Sequence, residues 1–218
     1  MIPAMVVPTW TRHDLLVKML ASVDHPVRDL LVIDNGSHLP ELDRTQFPLI
    51  ENLHVANVPN NLGVPASWNL GIKAFYPEDW VLVVGDDVEF PEGALAQFAE
   101  QGRPDEIVLA HTWPYWCAFA YGMDAVDHVG LFDERFYPAY YEDTEYEWRC
   151  RSLAFPVRIS DIAVGHSNAS TLNTPRRQFA LRKGVTDAAN GALYHDKQQR
   201  PVTRVTEFSL FRWRNQAW

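Results

Sequence analysis

Two acidic clusters contain residues whose types and positions suit metal binding or acid–base catalysis. The first is Asp86-Asp87, which directly follows the apolar run Trp80–Val84. Neighbouring residues of an extended segment point in opposite directions, so one carboxylate can face a metal ion while the other faces another part of the same ligand. Hard divalent cations prefer oxygen ligands and often use one or two carboxylates together with substrate phosphates. The pair therefore predicts either a metal site for a diphosphate or a solvated turn, where acidic residues are also common.

The second acidic cluster lies at residues 142–147, where Thr144 and Glu147 have the spacing of a capping box. The apolar residues behind it have the spacing of a helix. This pattern places Asp143 just before a helix and beside aromatic residues, where a fixed carboxylate can act as a general base on a hydroxyl group. The alternative is that Glu142 and Asp143 only complement the helix dipole, an effect worth about 0.3 to 1 kcal/mol.

His166 and a group of aromatic residues could complete such a site. His166 ends the apolar segment 162–165. A histidine in that position commonly has only a structural role, but imidazole also binds Mn²⁺-type ions and could supply the ligand that Asp87 lacks. Aromatic residues are dense around the second cluster, at Trp113, Trp116, Tyr140 and Tyr141. Each of them could fill a core, whereas together they are typical of a pocket wall.

The elements that must position these residues are predicted from hydrophobic patterning. Aliphatic runs predict strands at 4–7, 30–33, 52–58, 80–84 and 107–110. Helical patterns lie between several of them and begin near a capping box at 11–14, near Pro65 and near Pro91. This alternation is typical of βαβ units and a mostly parallel sheet, in which the carboxyl ends of the strands bind ligands. After residue 110 the chain becomes rich in aromatic residues, and a predicted strand pair at 156–166 indicates a mixed arrangement there.

Composition and charge exclude several classes of protein. The 218 residues are 47% hydrophobic and 22% charged, which suits a globular chain with a sizeable core. Residues 1–171 hold 10 Lys and Arg against 25 Asp and Glu, and this acidic body argues against nucleic-acid binding as the main function. No apolar stretch reaches the roughly 20 residues of a bilayer span, and no secretory signal is recognisable, so we expect a cytoplasmic protein without a membrane span. Cys117 and Cys150 lack metal-binding spacing and are predicted to be buried thiols.

We expect one domain over residues 1–171 and a basic, aromatic extension over 172–218. The extension holds 9 Lys and Arg against 3 Asp and Glu. It could meet an anionic partner, lipid headgroups or the acidic face of a second copy in a homo-oligomer, or it could pack back onto the body. The residues that suggest these contacts are Arg200, Arg204, Phe208, Phe211, Arg212, Trp213 and Arg214.

Taken in order, six segments of the chain resemble the family 2 glycosyltransferases, inverting enzymes with the GT-A fold. They are Val7-Pro8-Thr9-Trp10-Thr11-Arg12, Val32-Ile33-Asp34-Asn35-Gly36-Ser37, Asn61-Leu62-Gly63-Val64 with Asn69-Leu70-Gly71, Gly85-Asp86-Asp87-Val88, residues 129–134 with Tyr141-Glu142-Asp143-Thr144-Glu145, and Val164-Gly165-His166. The resemblance covers about residues 4–171. It implies an α/β fold with a Rossmann-like, mostly parallel central sheet flanked by helices and a small mixed half on the acceptor side. Residues 182–184 and 191–194 are loosely similar to rhamnosyltransferase-like members.

The resemblance also implies an activity and a role for individual residues. The activity is metal-dependent transfer of a sugar, with inversion, from a nucleotide diphosphate sugar to an acceptor hydroxyl. Asp143 would be the catalytic base, and Asp87 and His166 would hold Mn²⁺ or Mg²⁺, with fewer protein ligands than in relatives that carry an acid in place of Gly85. Thr9 and Asp34 would contact the nucleobase and Asp86 the ribose, within a nucleotide site formed by Pro8, Thr9, Arg12, Asp34, Asn35, Asn61, Gly63, Asn69 and Asp86. The acceptor and sugar pocket would contain Trp113, Trp116, Asp133, Tyr141 and Glu142.

Two other functions are compatible with parts of this pattern. A sugar-nucleotide or glycan-binding module without catalysis would not need both Asp87 and Asp143. A nucleotidyltransferase that makes the sugar nucleotide would need a glycine-rich phosphate loop with a basic residue near the N-terminus, and the sequence has none. For a transferase, the acceptor could be a glycan, a protein or a modified nucleobase, and the donor base could be uracil, thymine or guanine.

Overall fold

A computed structural model describes residues 1–36, 39–76, 78–167 and 177–206 of the chain. Within these ranges the strands are β1 (Ile2–Thr9), β2 (Val27–Asn35), β3 (Ile50–Val58), β4 (Trp80–Val84), β5 (Val88–Glu89), β6 (Ile107–Leu109), β7 (Ala118–Gly122), β8 (Val157–Ile159) and β9 (Gly165–His166). The helices are α1 (His13–Ala21), α2 (Val64–Ala74), α3 (Ala94–Gln101), α4 (Asp124–His128), α5 (Glu142–Ser152) and α6 (Arg177–Gln198). Ser37 and the tail residues Phe208, Phe211, Arg212, Trp213 and Arg214 lie outside the described residues.

The main sheet has the strand order β3-β2-β1-β4-β7-β6-β8. β1 runs parallel to β2 and β4, and β2 runs parallel to β3. β7 is antiparallel to both β4 and β6, and β8 is parallel to β6. The half before residue 110 is thus parallel and the half after it is mixed, which confirms the predicted α/β class.

Helices cover both faces of the main sheet, which explains why β1 and β4 are apolar on both sides. Met5 lies in the core on the side of α1 and α3, with Leu16. Val6, the next residue, lies in the core on the side of α2 and α5, with Trp68. Gly71 allows α2 to approach the sheet closely, because a Cβ there would lie only 2.3 Å from Cγ1 of Val6.

The two predicted capping boxes are wrong, for the same physical reason. Thr11 has a φ of +67° and Tyr141 a φ of +71°, so the chain turns sharply before each helix. α1 therefore begins at His13 with no side-chain cap. α5 begins at Glu142, so Thr144 lies inside the helix and Asp143 lies in its first turn rather than before it.

The predicted strand pair at 156–166 is present as two strands, but they join different sheets and do not pair with each other. β8 extends the main sheet beside β6, whereas β9 pairs with β5 in a separate two-stranded sheet. Between them, the Ser160 hydroxyl donates a 2.7 Å hydrogen bond to the carbonyl of Leu109, and the Thr112 hydroxyl donates one of 2.7 Å to the carbonyl of Val164. The segment thereby runs from the edge of the main sheet toward the acidic pair that follows β4.

Two further predictions concern burial and membranes. Cys117 and Cys150 are both buried free thiols, as predicted. Among the helices in the described part of the chain, none combines the length and apolar composition that crossing a bilayer requires.

Candidate active site

A cleft of about 1060 Å³ lies at the carboxyl ends of β1, β2 and β4. In the sheet, Thr9 of β1 lies beside Asp34 of β2, and Val6 of β1 lies beside Val83 of β4. The residues that follow these strands therefore meet at one edge, the usual ligand site of an α/β sheet. The predicted site residues that line the cleft are Pro8, Thr9, Asn35, Asn61, Asp86, Asp87, Trp113, Trp116, Tyr141, Glu142, Asp143 and His166.

Thr9 and Asp86 form a hydrogen-bonded pair between neighbouring strand ends. Oγ1 of Thr9 donates a 2.7 Å hydrogen bond to Oδ2 of Asp86. Burial raises the pKa of Asp86 to about 7, the hydrogen bond from Thr9 opposes this rise, and the charge of Asp87 adds to it. Asp86 can therefore both accept and donate hydrogen bonds near neutral pH, which suits contact with a hydroxyl group.

Asn35 and Asn61 order the loop that precedes α2. Oδ1 of Asn35 accepts a 2.7 Å hydrogen bond from the Leu62 amide, and Nδ2 of Asn35 donates one of 2.8 Å to Oδ1 of Asn61. The same Asn61 oxygen accepts from the Gly63 amide at 2.8 Å. Gly63 has a φ of +84°, and a Cβ there would lie 2.9 Å from the carbonyl oxygen of Pro138. The two asparagines thus shape this wall of the cleft, and Gly63 joins it to the chain that leads into α5.

Asp87 and His166 are brought together by the small sheet. Val88 lies opposite His166 in the antiparallel pairing of β5 with β9, and the Ser167 amide donates a 3.0 Å hydrogen bond to the carbonyl of Asp87. As a result, Nε2 of His166 lies 3.1 Å from Oδ1 of Asp87. Nδ1 of His166 is buried without a hydrogen-bond partner among the described residues.

The donor atoms of Asp87 and His166 fit a divalent ion. Adjacent ligands of an octahedral ion at about 2.1 Å lie about 3 Å apart, close to the observed separation. Carboxylate oxygen and imidazole nitrogen are both ligands that Mn²⁺ accepts. Within the described residues, no group of three or more His, Cys, Asp or Glu side chains is arranged to hold a metal. An ion held by this pair would therefore take its remaining ligands from a substrate or from water.

Glu142 and Asp143 face the cleft from the first turn of α5. Oδ1 of Asp143 accepts a 2.6 Å hydrogen bond from the Thr144 amide and a 3.2 Å bond from the Thr144 hydroxyl, while Oδ2 makes no hydrogen bond within the described residues. Burial raises the pKa of Asp143, and the hydrogen bonds from Thr144 oppose this rise. Burial, with a further contribution from the charge of Asp143, raises the pKa of Glu142 well above its usual range. Asp143 thus has one oxygen fixed by the helix, one oxygen not engaged, and the increased basicity that a general base needs.

Two tryptophans of the predicted pocket occupy different depths. Trp113 is 72% exposed at the rim of the cleft, with its ring perpendicular to that of Tyr115. Trp116 is buried, packs its ring edge-to-face against Phe119 and donates a 3.3 Å hydrogen bond from Nε1 to Oε2 of Glu147. Trp116 therefore belongs to the core and to the cleft wall at once, so the two interpretations of the aromatic residues were not exclusive.

The cleft lining does not include Arg12, Asp34, Gly63, Asn69 or Asp133. Asn69 is buried in α2, where its amide group exchanges two 2.9 Å hydrogen bonds with the backbone of Phe132. Oδ2 of Asp34 accepts a 2.7 Å hydrogen bond from the Leu39 amide and so links the end of β2 to Leu39. Arg12 forms an ion pair with the aspartate two residues after it. Of the three, only Asn69 has a fully buried side chain that ties two distant segments of the chain together.

Asp133 belongs to an ion network beneath α5. It accepts hydrogen bonds from Arg135 at 2.6 and 2.9 Å and lies beside Lys197 of α6. Burial alone would raise the pKa of Asp133, but the hydrogen bond from Arg135 and the charge of Lys197 outweigh it and hold the pKa well below its usual range. In the same network, Arg149 donates to Glu145 at 2.8 Å, and both side chains are fully buried.

Residues that the sequence analysis did not assign to the site also line the cleft. On α5 they are Glu147, Trp148 and Arg151, and on α6 they are Asp187, Tyr194 and Gln198. Helical spacing could have indicated two of them. Glu147 and Arg151 follow Asp143 at intervals of four residues, so the three side chains share one face of α5. That signal becomes usable only when the helix is known to begin at Glu142.

Comparison with known proteins connects this geometry to a family. Residues 5–151 match the family model described as Glycosyl transferase family 2. The chain belongs to glycosyl transferase family 2. The matched segment contains most of β1, all of β2 to β7 and nearly all of α5, whereas His166 and the whole of α6 lie beyond it. A comparison with curated protein sequences finds no match.

Solved structures of S. aureus TarS share the fold of this family 2 chain. The structure of TarS 1–349 superposes with a TM-score of 0.53 at 18% identity over 75% of this chain, and full TarS gives the same values. TarS 1–349 in complex with UDP-GlcNAc gives a TM-score of 0.54 at 17% identity over 80% of this chain. The chain spans 59 to 61% of the TarS 1–349 structures and 36% of full TarS. At this identity the likeness establishes the fold alone.

Proposed function

We propose that this family 2 chain is a metal-dependent, inverting glycosyltransferase that moves a sugar from a nucleotide diphosphate sugar to an acceptor hydroxyl. The observation that carries the proposal is that one cleft contains both the Asp87–His166 pair, which has the separation of adjacent metal ligands, and Asp143, a half-buried carboxylate with an oxygen not engaged. Transfer from a diphosphate donor needs both a cationic site for the leaving group and a base for the acceptor.

The nucleotide is proposed to lie along the ends of β1, β2 and β4. Thr9, Asn35, Asn61 and Asp86 line the cleft there and offer hydroxyl, amide and carboxyl groups to a base and a ribose. Two of the TarS structures are complexes with UDP and with UDP-GlcNAc, so these two ligands are the first to test as donors.

Asp87 and His166 would hold Mn²⁺ or Mg²⁺ next to the diphosphate. When bound, such an ion stabilises the negative charge that develops on the leaving diphosphate. The two ligand atoms are already in position before the donor binds, because the β5–β9 pairing holds Oδ1 of Asp87 and Nε2 of His166 3.1 Å apart. A pair held in advance does not have to be ordered when the donor binds.

Asp143 is proposed to act as the base in a single displacement. The acceptor oxygen forms a bond to the anomeric carbon, the bond from that carbon to the diphosphate oxygen breaks with its electron pair on the diphosphate, and the acceptor proton moves to Asp143. Attack from the face opposite the leaving group inverts the anomeric centre. The hydrogen bond from Thr144 to Oδ1 holds the carboxylate in place and leaves Oδ2 for the proton.

The experiment that tests the proposal is thermal stabilisation by UDP, UDP-GlcNAc, dTDP and GDP, with and without Mn²⁺, because a ligand of the folded state raises its stability. We expect stabilisation by one nucleotide that depends on Mn²⁺ and is lost in Asp87→Ala. Asp105→Ala, which changes an exposed aspartate outside the cleft, serves as the matched control and should keep the full effect. Absence of stabilisation by all the nucleotides would contradict the proposal.

A further inference from the structure

α6 forms a wall of the cleft although it lies beyond residues 5–151, the segment that matches the family. Asp187, Tyr194 and Gln198 line the cleft from this helix. They are seven and four residues apart, which places them along one face of the helix. The first turns of α5, where Asp143 lies, line the same cleft, and the ring of Tyr194 on α6 is 6.4 Å from that of Trp148 on α5. The position of α6 therefore points to contact with the acceptor rather than with the nucleotide.

The contacts of α6 with the body hold this wall in place. Nδ2 of Asn190 donates hydrogen bonds of 3.0 Å to the carbonyls of both Ala139 and Tyr140, in the segment that leads into α5. The helix also comes very close to Tyr141 at Gly191, where a Cβ would lie 3.1 Å from the tyrosine Oη. A wall fixed in this way can select its ligand by shape.

The chemistry of this part of the cleft suits a saccharide. The ring of Tyr194 lies 5.8 Å from that of Tyr141 and 6.4 Å from that of Trp148, to which it is perpendicular. Gln198 donates a 2.9 Å hydrogen bond to the Tyr194 hydroxyl. Aromatic faces pack against the C–H faces of a pyranose, while tyrosine hydroxyl, amide and carboxylate groups bind the hydroxyls at its edge.

One polar group in this part of the cleft still lacks a partner. Glu142 is 7% exposed, lines the cleft, and its Oε2 atom is buried without a hydrogen bond among the described residues. A buried oxygen of this kind is costly unless a donor reaches it. A ligand hydroxyl in the cleft would supply that donor.

The charges of the described residues on this side of the cleft disfavour an anionic ligand. Four carboxyl side chains line it, those of Glu142, Asp143, Glu147 and Asp187. Among the described lining residues the only Lys or Arg is Arg151, which is ion-paired with Glu147. A phosphorylated, sulfated or sialylated acceptor would therefore lie near the carboxylates of Asp143 and Asp187, and like charges cost binding energy unless they are paired.

From these observations we infer that α6 supplies the acceptor subsite, through Tyr194 and Gln198, and that the acceptor is a neutral saccharide. The inference rests on the proposed function, because an acceptor is defined only for a transferase. Beyond the proposed function, the inference specifies the class of acceptor and names residues that recognise the acceptor and lie outside the segment that matches the family.

The test is binding of the protein, in buffer with UDP and Mn²⁺, to an array of neutral cello- and chito-oligosaccharides and of sialylated, sulfated and phosphorylated oligosaccharides. We expect binding to a subset of the neutral saccharides only. Tyr194→Ala and Gln198→Ala should each weaken this binding about tenfold or more, because each removes a contact in the subsite. Val185→Ala, at a 73% exposed position on the same helix and outside the cleft, is the control and should bind as wild type does.

The outcomes separate this inference from the donor proposal. Binding only to anionic saccharides, binding to none, or unchanged binding in both cleft variants would each overturn the inference, whether or not UDP stabilises the protein. Stabilisation by UDP is measured on the same samples without saccharide and also shows that each variant is folded. Its absence in wild type, beside retained binding of neutral saccharides, would contradict the choice of UDP and leave the saccharide subsite supported.

Discussion

Nζ of Lys197 lies 2.6 Å from Oε1 of Glu145, and so joins α6 to the helix that carries Asp143. The same ammonium group lies 2.5 Å from Oδ2 of Asp133. Glu145 is fully buried and is also bound by Arg149, while Lys197 is only 12% exposed. One cation of α6 therefore bridges two buried carboxylates of the segment before residue 171.

Lys197→Met should destabilise the protein strongly. Removing one partner of a buried ion pair leaves charge without compensation and costs about 3 to 5 kcal/mol, and we expect the lower end because both carboxylates keep an arginine partner. The free energy of unfolding measured in urea checks this. Lys18→Met, at an exposed position on α1, should change it by less than about 0.5 kcal/mol. Equal effects of the two variants would contradict the prediction.

Asp133 should make the protein sensitive to acid. Its pKa in the folded state is held well below its usual range, so its charge contributes stability that is fully present above the unfolded pKa of about 3.9 and is lost as pH falls toward the folded value. The stability difference between wild type and Asp133→Asn should therefore be constant above about pH 5 and shrink below about pH 4. Urea unfolding at a series of pH values measures it. A difference that stays the same down to pH 3 would show that the charge of Asp133 does not contribute.

Gly63→Ala should cost more stability than Gly93→Ala. Both glycines have positive φ, but Gly93 (φ +81°, ψ −4°) is left-handed, where alanine costs about 1 to 2 kcal/mol, whereas Gly63 (φ +84°, ψ +166°) lies in a region that essentially only glycine adopts. A Cβ at Gly63 would also lie 2.9 Å from the Pro138 carbonyl oxygen, whereas at Gly93 it would meet nothing within 4 Å. Thermal unfolding of both variants gives the difference. The prediction fails if Gly93→Ala is the less stable of the two.

Asp143→Asn should abolish most of the transfer activity without affecting binding of the donor nucleotide. A general base contributes about 10² to 10⁴ in rate, and the amide cannot take the acceptor proton. We expect kcat to fall by that factor while stabilisation by the donor nucleotide stays at the wild-type level. If the variant transfers sugar at the wild-type rate, Asp143 is not the catalytic base.

The dependence of transfer on pH should show the raised pKa of Asp143. Because the deprotonated form is the base, kcat/KM should rise with pH through the pKa of this group. Burial raises that pKa above the ordinary value of an aspartate, so the rise should lie above about pH 4. A titration of kcat/KM from pH 4 to 8 at saturating Mn²⁺ measures it, and the rise should be absent from the residual activity of Asp143→Asn.

The parts of the fold that the sequence predicts are those that local patterns determine. β4 begins and ends where the apolar run does, because a strand covered on both faces has to be apolar throughout. The beginning of α5 was not predicted, because the positive φ values of Tyr140 and Tyr141 are not encoded by a glycine. Partners distant in sequence, such as β9 with β5, depend on the whole fold.

The site residues also divide into those that local sequence patterns indicate and those that depend on partners distant in sequence. Asp87 and Asp143 could be found because each follows or opens a recognisable element. The role of Asn69 in holding the backbone of Phe132 could not, because an asparagine inside a helix gives no sign of which distant carbonyl it meets. The α6 wall was missed because the helix lies far along the chain from the other site residues, and its polar residues alone do not show that it returns to the cleft.

The antiparallel direction of β7 has a consequence for how such an enzyme could diversify. Because β7 runs against β4, the segment that enters β7 arrives at the edge of the sheet where β4 ends, and the Gly85 amide donates a 2.8 Å hydrogen bond to the carbonyl of Cys117. Residues 113–117 therefore line the cleft next to Asp86 and Asp87 while connecting β6 to β7, two strands that pair with each other and of which β7 also pairs with β4. Insertions or exchanges in this connection would reshape the pocket without changing strand order, so substrate range and foldability are encoded in separate stretches of the chain.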